Sequence, residues 1–382
     1  SRRALAATDA TDTSVDQSLA QAAMESMRLG ERLEHEAVSE TPEAILKRML
    51  SVKTVVSTGS SFAQRQQAAI GSNTEFREIG TGSIGKVFEH PGTILVYKVP
   101  VADQPEKLWN NYLKHARVYE SFEAMPPVDE QVVIPRCFFY TNPDDEAFWT
   151  QNLEWFPDLP LFPRVAHHVL CMERVFPLPL PIRNALIEKF CPPMYQQSAK
   201  KYEANKDCLI RPYLGRLKYG YGNYPGFSLR NFRLHADEIM DLGLDASELC
   251  TSMARALAVL HWHAKIDGED IEFVIGSSPL KEKVVSVSKA SELSTMAPYT
   301  STYDRVQHNT LNFTKRVTSL WMLDFDACSD ITMDSNGVDM AVKAFIGSNM
   351  YCPKPHNNNA FIASMWSLFS ERYVEYSDYI LE

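Results

Sequence analysis

The sequence contains no apolar run that approaches the roughly 20 residues needed to cross a bilayer. Its first residues, Ser1-Arg2-Arg3-Ala4, lack the apolar core of a secretion signal. The formal net charge is −10, which disfavours binding along bulk DNA because the DNA backbone is itself anionic. These absences predict a soluble, cytoplasmic protein that has neither a membrane nor DNA as a partner.

Cysteine pairs at metal-binding spacing are also missing. The seven cysteines are scattered, odd in number and never arranged as C-x-x-C. This pattern predicts reduced thiols and no metal site, since structural zinc needs closely spaced Cys or His ligands. The sequence also has no Gly-x-Ser-x-Gly turn, the motif that presents the nucleophilic serine of α/β-hydrolases.

Composition and periodicity divide the chain into three parts. Residues 1–72 have helical periodicity from about 21 to 53 and a polar stretch at 57–72, which predicts a partly helical N-terminal extension that ends in a linker. Residues 73–177 alternate short apolar strands with turns, whereas 178–382 contain strongly helical stretches. The sequence therefore predicts an α+β protein with a small β-rich part and a larger helical part.

Three glycines and a lysine form the first motif that carries chemistry. Gly80, Gly82 and Gly85 follow the spacing G-x-G-x-x-G between two predicted strands. Glycines at this spacing let backbone N–H groups approach a phosphate closely, and the strand-to-strand setting is typical of protein kinases. Lys98 lies in the next strand, where kinases carry the lysine that pairs with the phosphates. These four residues predict a phosphate- or adenosine-binding site.

A second motif follows the helix that ends in Leu260-His261. Kinases carry a catalytic aspartate there and a metal-binding asparagine five residues later, but the intact His-Arg-Asp triplet is absent from this chain. Two registers are open. In one, Asp267 is the catalytic aspartate and Glu272 replaces the asparagine; in the other, Asp270 is the aspartate. The spacing favours the first register.

The third motif, Leu323-Asp324-Phe325-Asp326, resembles the Asp-Phe-Gly segment that binds metal in kinases, with an aspartate in place of the glycine. The helix expected after Lys98 departs from the kinase pattern. Kinases place a glutamate on this helix to hold the lysine. When Arg117-Val118-Tyr119 is aligned with kinase-like sequences, His115 occupies that position and Glu120 lies more than a turn away. The missing ion pair weakens the case for ordinary phosphoryl transfer.

Together these motifs resemble the two-lobed protein-kinase fold, with an N-lobe at 73–177 and a helical C-lobe at 178–382. More specifically, residues from about 74 to 376 resemble a family of fungal kinase-like proteins of unknown function that is catalogued under zinc-finger proteins. The fungal arginine-containing cyclodipeptide synthases lie within or next to this family. The segments that carry the resemblance are Ile134–Cys137, Met172–Pro179, Cys208–Gly215, Phe227–Phe232, Ala254–Trp262, Asp267–Gly276 and Leu323–Asp326.

The resemblance implies an enzyme that condenses arginine with a second amino acid, supplied as aminoacyl-tRNA, into a cyclo-Arg-Xaa diketopiperazine for fungal natural-product biosynthesis. Asp324, Asp267 and Glu272 would be catalytic. Asp326 and Asp270 would bind the substrate guanidinium, because carboxylates that hold no Mg²⁺ suit a bidentate cation. The glycine motif would cover the terminal adenosine of the tRNA. Aminoacyl-tRNA is then a co-substrate, and no cofactor is bound.

The basic stretch 183–233 is the predicted tRNA-binding insert. It holds ten basic and three acidic residues, interleaved with tyrosines and phenylalanines, and this combination suits a single-stranded RNA end. Two alternatives stay open: an ATP-dependent phosphotransferase that uses Mg-ATP, and a non-catalytic pseudokinase. The residues predicted to bind tRNA are Lys200, Lys201, Lys206, Arg211, Arg216 and Lys218.

Overall fold

The architecture combines two β-sheets with a set of helices, which confirms the predicted α+β class. The predicted helical stretch before residue 40 lies outside the residues that the structure describes. The computed structural model describes residues 40–50, 55–57, 61–71, 74–82, 85–100, 104–126, 132–159, 162–218, 227–281 and 311–382.

The N-terminal segment forms helix α1 (Pro42–Met49), strand β1 (Val55–Ser57) and helix α2 (Ser61–Ala68). Helix α2 lies where the sequence predicted a linker, so that part of the prediction is wrong. The helix is polar and is fixed by buried Gln66, whose amide donates to Glu89 at 3.1 Å and accepts from the backbone N–H of Gly92 at 2.8 Å. A helix held by such hydrogen bonds shows no apolar periodicity in its sequence.

The first sheet carries the glycine motif. Its five strands pair antiparallel in the order β2-β3-β4-β6-β5. One face packs on an aromatic core that includes Phe88, Tyr97 and Phe156. The strands are β2 (Arg77–Thr81), β3 (Gly85–Glu89), β4 (Leu95–Pro100), β5 (Cys137–Thr141) and β6 (Val169–Glu173), with helices α3 (Pro105–Glu123) and α4 (Glu146–Asn152) between them.

The second sheet brings two distant motifs together. Its strands β7 (Ile210–Tyr213), β8 (Phe232–His235), β9 (Glu272–Lys281) and β10 (Leu311–Leu323) follow the order β1-β10-β9-β7-β8. The antiparallel register of β9 and β10 pairs Glu272 with Leu323. Because Asp324 follows Leu323 directly, the first residue of β9 lies next to the third motif.

The predicted helices of the C-terminal part are present. Helix α8 (Ala246–Ala258) packs along α10 (Ala360–Leu381) and buries Leu249, Met253 and Leu257. It continues into a π-helical turn at Val259–Ala264, which ends at Lys265 in the left-handed region (φ 56°). The helices are α5 (Leu180–Phe190), α6 (Gln196–Lys201), α7 (Ala236–Asp241), α8 (Ala246–Ala258), α9 (Ser335–Gly347) and α10 (Ala360–Leu381).

A partly buried ion pair and backbone hydrogen bonds join the two sheets. Arg77 on β2 reaches Asp207, before β7, with an N–O distance of 2.7 Å. Phe176, after β6, exchanges two backbone hydrogen bonds of 2.8 Å with Ser277 on β9. These contacts hold the sheets on either side of a cavity. None of the helices in the described ranges is long and apolar enough to span a membrane.

Gly215 tests the packing after β7. Its N–H donates to the Tyr351 carbonyl at 3.2 Å, and an added Cβ would lie 2.3 Å from the Cys352 carbonyl oxygen. We expect Gly215→Ala to lower the free energy of unfolding in urea by about 1–3 kcal/mol, because the backbone must shift. The matched control is Gly347→Ala, whose Cβ would meet nothing within 4 Å; a control as destabilised as Gly215→Ala would contradict this packing.

Candidate functional site

A cavity of about 540 Å³ lies between the two sheets. Apolar and charged side chains both line it, so the cavity suits a ligand with both characters. The apolar lining comes from Ile79, Val87, Val96, Pro135, Met172, Val175, Pro177, Leu209, Val274 and Leu323. The charged lining comes from Lys98, Glu173, Arg174, Asp207, Arg211, Arg230, Glu272, Asp324 and Asp326.

The glycine motif forms one wall of this cavity, as all three predicted glycines line it. The Gly82 N–H donates to the Gly85 carbonyl at 2.8 Å and closes the turn. A Cβ on Gly85 would lie 2.6 Å from the Val99 carbonyl oxygen. The close approach of β3 to β4 therefore requires glycine at this position.

Lys98 provides the cation that joins the first sheet to the third motif. From β4, its Nζ lies 2.8 Å from Oδ1 of Asp324 and 3.0 Å from Oδ2 of Asp326. Burial opposes the charge of Lys98, but the two carboxylates outweigh it and raise the lysine pKa. Burial also opposes the charge of Asp324, yet the charge of Lys98 lowers the pKa of this carboxyl overall. For Asp326 the effect of burial is larger than that of Lys98, so its pKa is raised. One ammonium thus serves two carboxylates, of which Asp326 is buried and Asp324 is partly exposed.

The backbone around Asp324 presents both carboxylates to the lysine. Asp324 adopts a left-handed conformation with φ 71°, which aspartate tolerates better than most side chains. Asn110 on α3 donates from its amide to the carbonyls of Asp326 (3.0 Å) and Cys328 (3.1 Å). The strand end and the helix together fix the turn.

Glu272 and Arg211 form the second charged pair of the cavity. Arg211 on β7 approaches both oxygens of Glu272, at 2.6 and 2.7 Å. Burial outweighs the attraction of Arg211 and raises the pKa of Glu272 to about 7. A carboxyl with such a pKa exists in both protonation states at neutral pH, as a general acid or base must.

The two aspartates of the predicted catalytic loop have different surroundings. Asp270 is exposed, but partial burial and the charge of Asp324 raise its pKa, and no ion pair binds it within the described ranges. Asp267 is buried and does not line the cavity. Its Oδ1 accepts hydrogen bonds from the N–H groups of Ser329 (2.9 Å) and Glu269 (3.1 Å). Asp270 does not line the cavity either, but the charges of Asp324 and Arg211 act on its carboxyl group. We refer to Asp270 and the three cavity-lining carboxyl groups of Glu272, Asp324 and Asp326 as the acidic cluster.

His115 faces the cavity from α3, where kinases would place a glutamate. Its Nε2 donates to the Pro135 carbonyl, and its ring packs edge-on against Phe325 at 5.1 Å. Complete burial lowers the His115 pKa to about 4, so the ring is neutral at pH 7. Lys98 is held by the acidic motif instead of by this helix.

The residues predicted to bind tRNA have different surroundings. Arg211 points into the cavity, where it binds Glu272, while Lys201 and Arg216 are exposed. The remaining three are each bound to a glutamate: Lys200 to Glu188, Lys206 to Glu203 and Lys218 to Glu238.

Four charged residues of the cavity were not predicted from the sequence as site residues: Glu173, Arg174, Asp207 and Arg230. All but Asp207 lie inside a segment that carries the family resemblance, but that position does not indicate the direction of the side chain. Asp207 and Arg230 are placed by the pairing around β7 and β8, and Glu173 and Arg174 by the pairing of β6 with β4. Each of these pairings joins segments that are apart in the sequence. A basic or acidic residue beside a strand is not by itself evidence of a site.

One comparison with known proteins gives a partial match. A family model described as "Zinc finger protein" matches residues 320–382, which agrees with the resemblance to a family catalogued under that name. No curated protein matches the chain. The matched region includes Asp324, Asp326, α9 and α10. In the part of the chain that the structure describes, no three His, Cys, Asp or Glu side chains are grouped to hold a metal ion.

The pKa of Glu272 predicts a pH dependence of stability. Between pH 4.5, the ordinary pKa of glutamate, and about 7 the folded protein retains a proton that the unfolded chain has lost. The contribution of Glu272 to the free energy of unfolding therefore falls as pH rises through this window. Urea unfolding from pH 4.5 to 8 should show a shallower decline for Glu272→Gln than for the unchanged protein.

The control for this titration is Glu43→Gln. Glu43 lies on the surface beside Lys189, and their hydrogen bond lowers its pKa below 4.5. Its titration therefore lies below the window, and the decline should persist in this variant. Identical pH slopes for Glu272→Gln and the unchanged protein would contradict the raised pKa.

Proposed function

We propose that the chain is an aminoacyl-tRNA-dependent cyclodipeptide synthase that joins arginine to a second amino acid as a diketopiperazine. The observation that carries the proposal is the acidic cluster beside Lys98, together with a carboxyl of raised pKa in the same cavity. The arrangement of a glycine loop, a strand lysine and an Asp-Phe-Asp turn around one cavity also supports the kinase-like fold expected from the sequence. Aminoacyl-tRNA would be available to such an enzyme in the cytoplasm.

The charge balance favours a cationic substrate. The acidic cluster has four carboxyl groups, whereas only two cations, Lys98 and Arg211, are bound to it. A guanidinium beside Asp270 and the outer side of Asp324 would offset the remaining charge through charge-assisted hydrogen bonds. Arginine is therefore the amino acid that this cavity suits best.

Glu272 is the group best suited to act as the base. In its ionised form it would take a proton from the α-ammonium of arginine, and the amine would attack the ester carbonyl of the second aminoacyl-tRNA. A C–N bond forms, the ester C–O bond breaks, and the ribose hydroxyl leaves with a proton. The free amine of the dipeptide then attacks the arginyl ester in the same way and closes the ring.

A phosphotransferase is the second candidate, and one observation favours it. Lys98 and Asp324 lie 2.8 Å apart beside the glycine motif, as the phosphate-binding lysine and the metal-binding aspartate do in kinases. Against it, His115 is neutral and no acid on α3 holds Lys98, while the buried Asp267 does not line the cavity. A binding protein without catalysis would use the same cavity but form no product.

The direct test supplies pre-charged arginyl-tRNA and a second aminoacyl-tRNA and detects cyclo-Arg-Xaa by mass spectrometry. We expect product formation that ribonuclease abolishes, with a rate that rises with pH to a plateau above about 7, as Glu272 ionises. Glu272→Gln should reduce the rate by about 100-fold or more and remove this pH dependence, because the base is lost.

Glu43→Gln is the control, because it changes a glutamate outside the cavity and should leave the rate unchanged. The absence of a diketopiperazine with all twenty second amino acids would rule out the synthase. Transfer of the γ-phosphate of Mg-ATP to a substrate, with no need for RNA, would establish the phosphotransferase instead.

A further inference from the structure

Arg230 is a cation of the cavity that has no ion-pair partner among the residues described. It lines the cavity and is half-buried, just before β8. Segment 219–226, which is not described, contains no acidic residue, so it supplies no carboxylate either. The other lining cations are all bound: Lys98 to Asp324 and Asp326, Arg211 to Glu272, and Arg174 to Glu89.

The backbone holds Arg230 in a defined position. Its N–H donates to the Ser228 hydroxyl at 3.1 Å, and the residue forms an isolated β-bridge with Cys208. Asn231 follows in the left-handed conformation, with φ 53°. Ser228 and Asn231, which are close to Arg230 in the sequence, also line the cavity and carry neutral hydrogen-bonding side chains.

Arg230 serves a different part of the cavity from Arg211. The charge of Arg211 acts on Glu272, Asp270 and Asp324, all members of the acidic cluster. The charge of Arg230 instead helps to lower the pKa of Glu78 on β2, and that carboxylate is already bound by Lys86 at 2.7 Å. An anion could therefore bind Arg230 without displacing the ion pairs of Lys98 or Arg211.

We infer that Arg230, with Ser228 and Asn231, binds a phosphate group of a nucleotide, namely the phosphodiester that precedes the terminal nucleoside of the tRNA. This inference rests on the proposed function. In that nucleoside the aminoacyl ester is on a 2′ or 3′ oxygen and the phosphate is on the 5′ oxygen. The two groups are therefore attached at different positions of the ribose and extend in different directions. With the ester carbonyl at the acidic cluster, the phosphate belongs at a separate cation.

The test uses an uncharged RNA stem-loop that ends in single-stranded CCA, prepared in two forms. One has the natural phosphodiester before the last adenosine, and the other has a neutral methylphosphonate at that link. Binding is measured by fluorescence anisotropy. Arg230→Ala should weaken binding of the natural RNA by about tenfold or more, the effect of one charge-assisted contact. It should leave binding of the methylphosphonate RNA nearly unchanged, whereas Arg230→Lys should retain part of the affinity.

Arg233→Ala is the matched control, because Arg233 is exposed on the same segment and does not line the cavity. Arg233→Ala should change the affinity for the two RNAs by the same factor. Equal weakening of both RNAs by Arg230→Ala would overturn the assignment, as would unchanged binding of the natural RNA while product formation persists. If Arg230→Ala weakens the binding of Mg-ATP and of neither RNA, the phosphate belongs to a free nucleotide, and its assignment to RNA is wrong. If the unchanged protein binds neither RNA and forms no product, the proposed function fails together with this inference.

Discussion

The site depends on one buried cation shared by two carboxylates. Lys98 belongs to the first sheet, whereas Asp324 and Asp326 follow a strand of the second, so their contact joins the two sheets at the cavity. Two adjacent aspartates in a poorly solvated place would repel one another and one would take up a proton. The ammonium allows both carboxylates to remain close to each other in the cavity that the glycine motif also lines.

The same cavity contains surplus charge of both signs in different places. The acidic cluster exceeds its bound cations, while Arg230 has no described carboxylate partner. Apolar side chains such as Val87 and Val274 belong to the same lining and provide apolar surface on which a nucleobase could pack. Under the proposed function, an esterified amino acid on a nucleotide would bring a cationic end, a planar base and a phosphate to these side chains.

The sequence predicted those features that depend on short-range patterns. The glycine spacing, the lysine of the next strand and the Asp-Phe-Asp turn reach one cavity because each is set by its own strand and turn. Asp267 turns towards Ser329, and Arg211 enters the cavity instead of facing solvent. Both directions depend on strand pairing between distant segments, which no local pattern encodes. The polar helix α2 escaped prediction for the same reason, since the partner of Gln66 lies on β3.

The most direct measurement is a double-mutant cycle on Lys98→Met and Asp326→Asn, from free energies of unfolding in urea. The two substitutions should show a coupling energy of about 1 kcal/mol or more, because they remove the same buried contact. The exposed pair Lys189 and Glu43, 2.7 Å apart, should show a coupling below about 0.5 kcal/mol in a parallel cycle. A coupling near zero between Lys98 and Asp326 would contradict the shared cation on which the cavity depends.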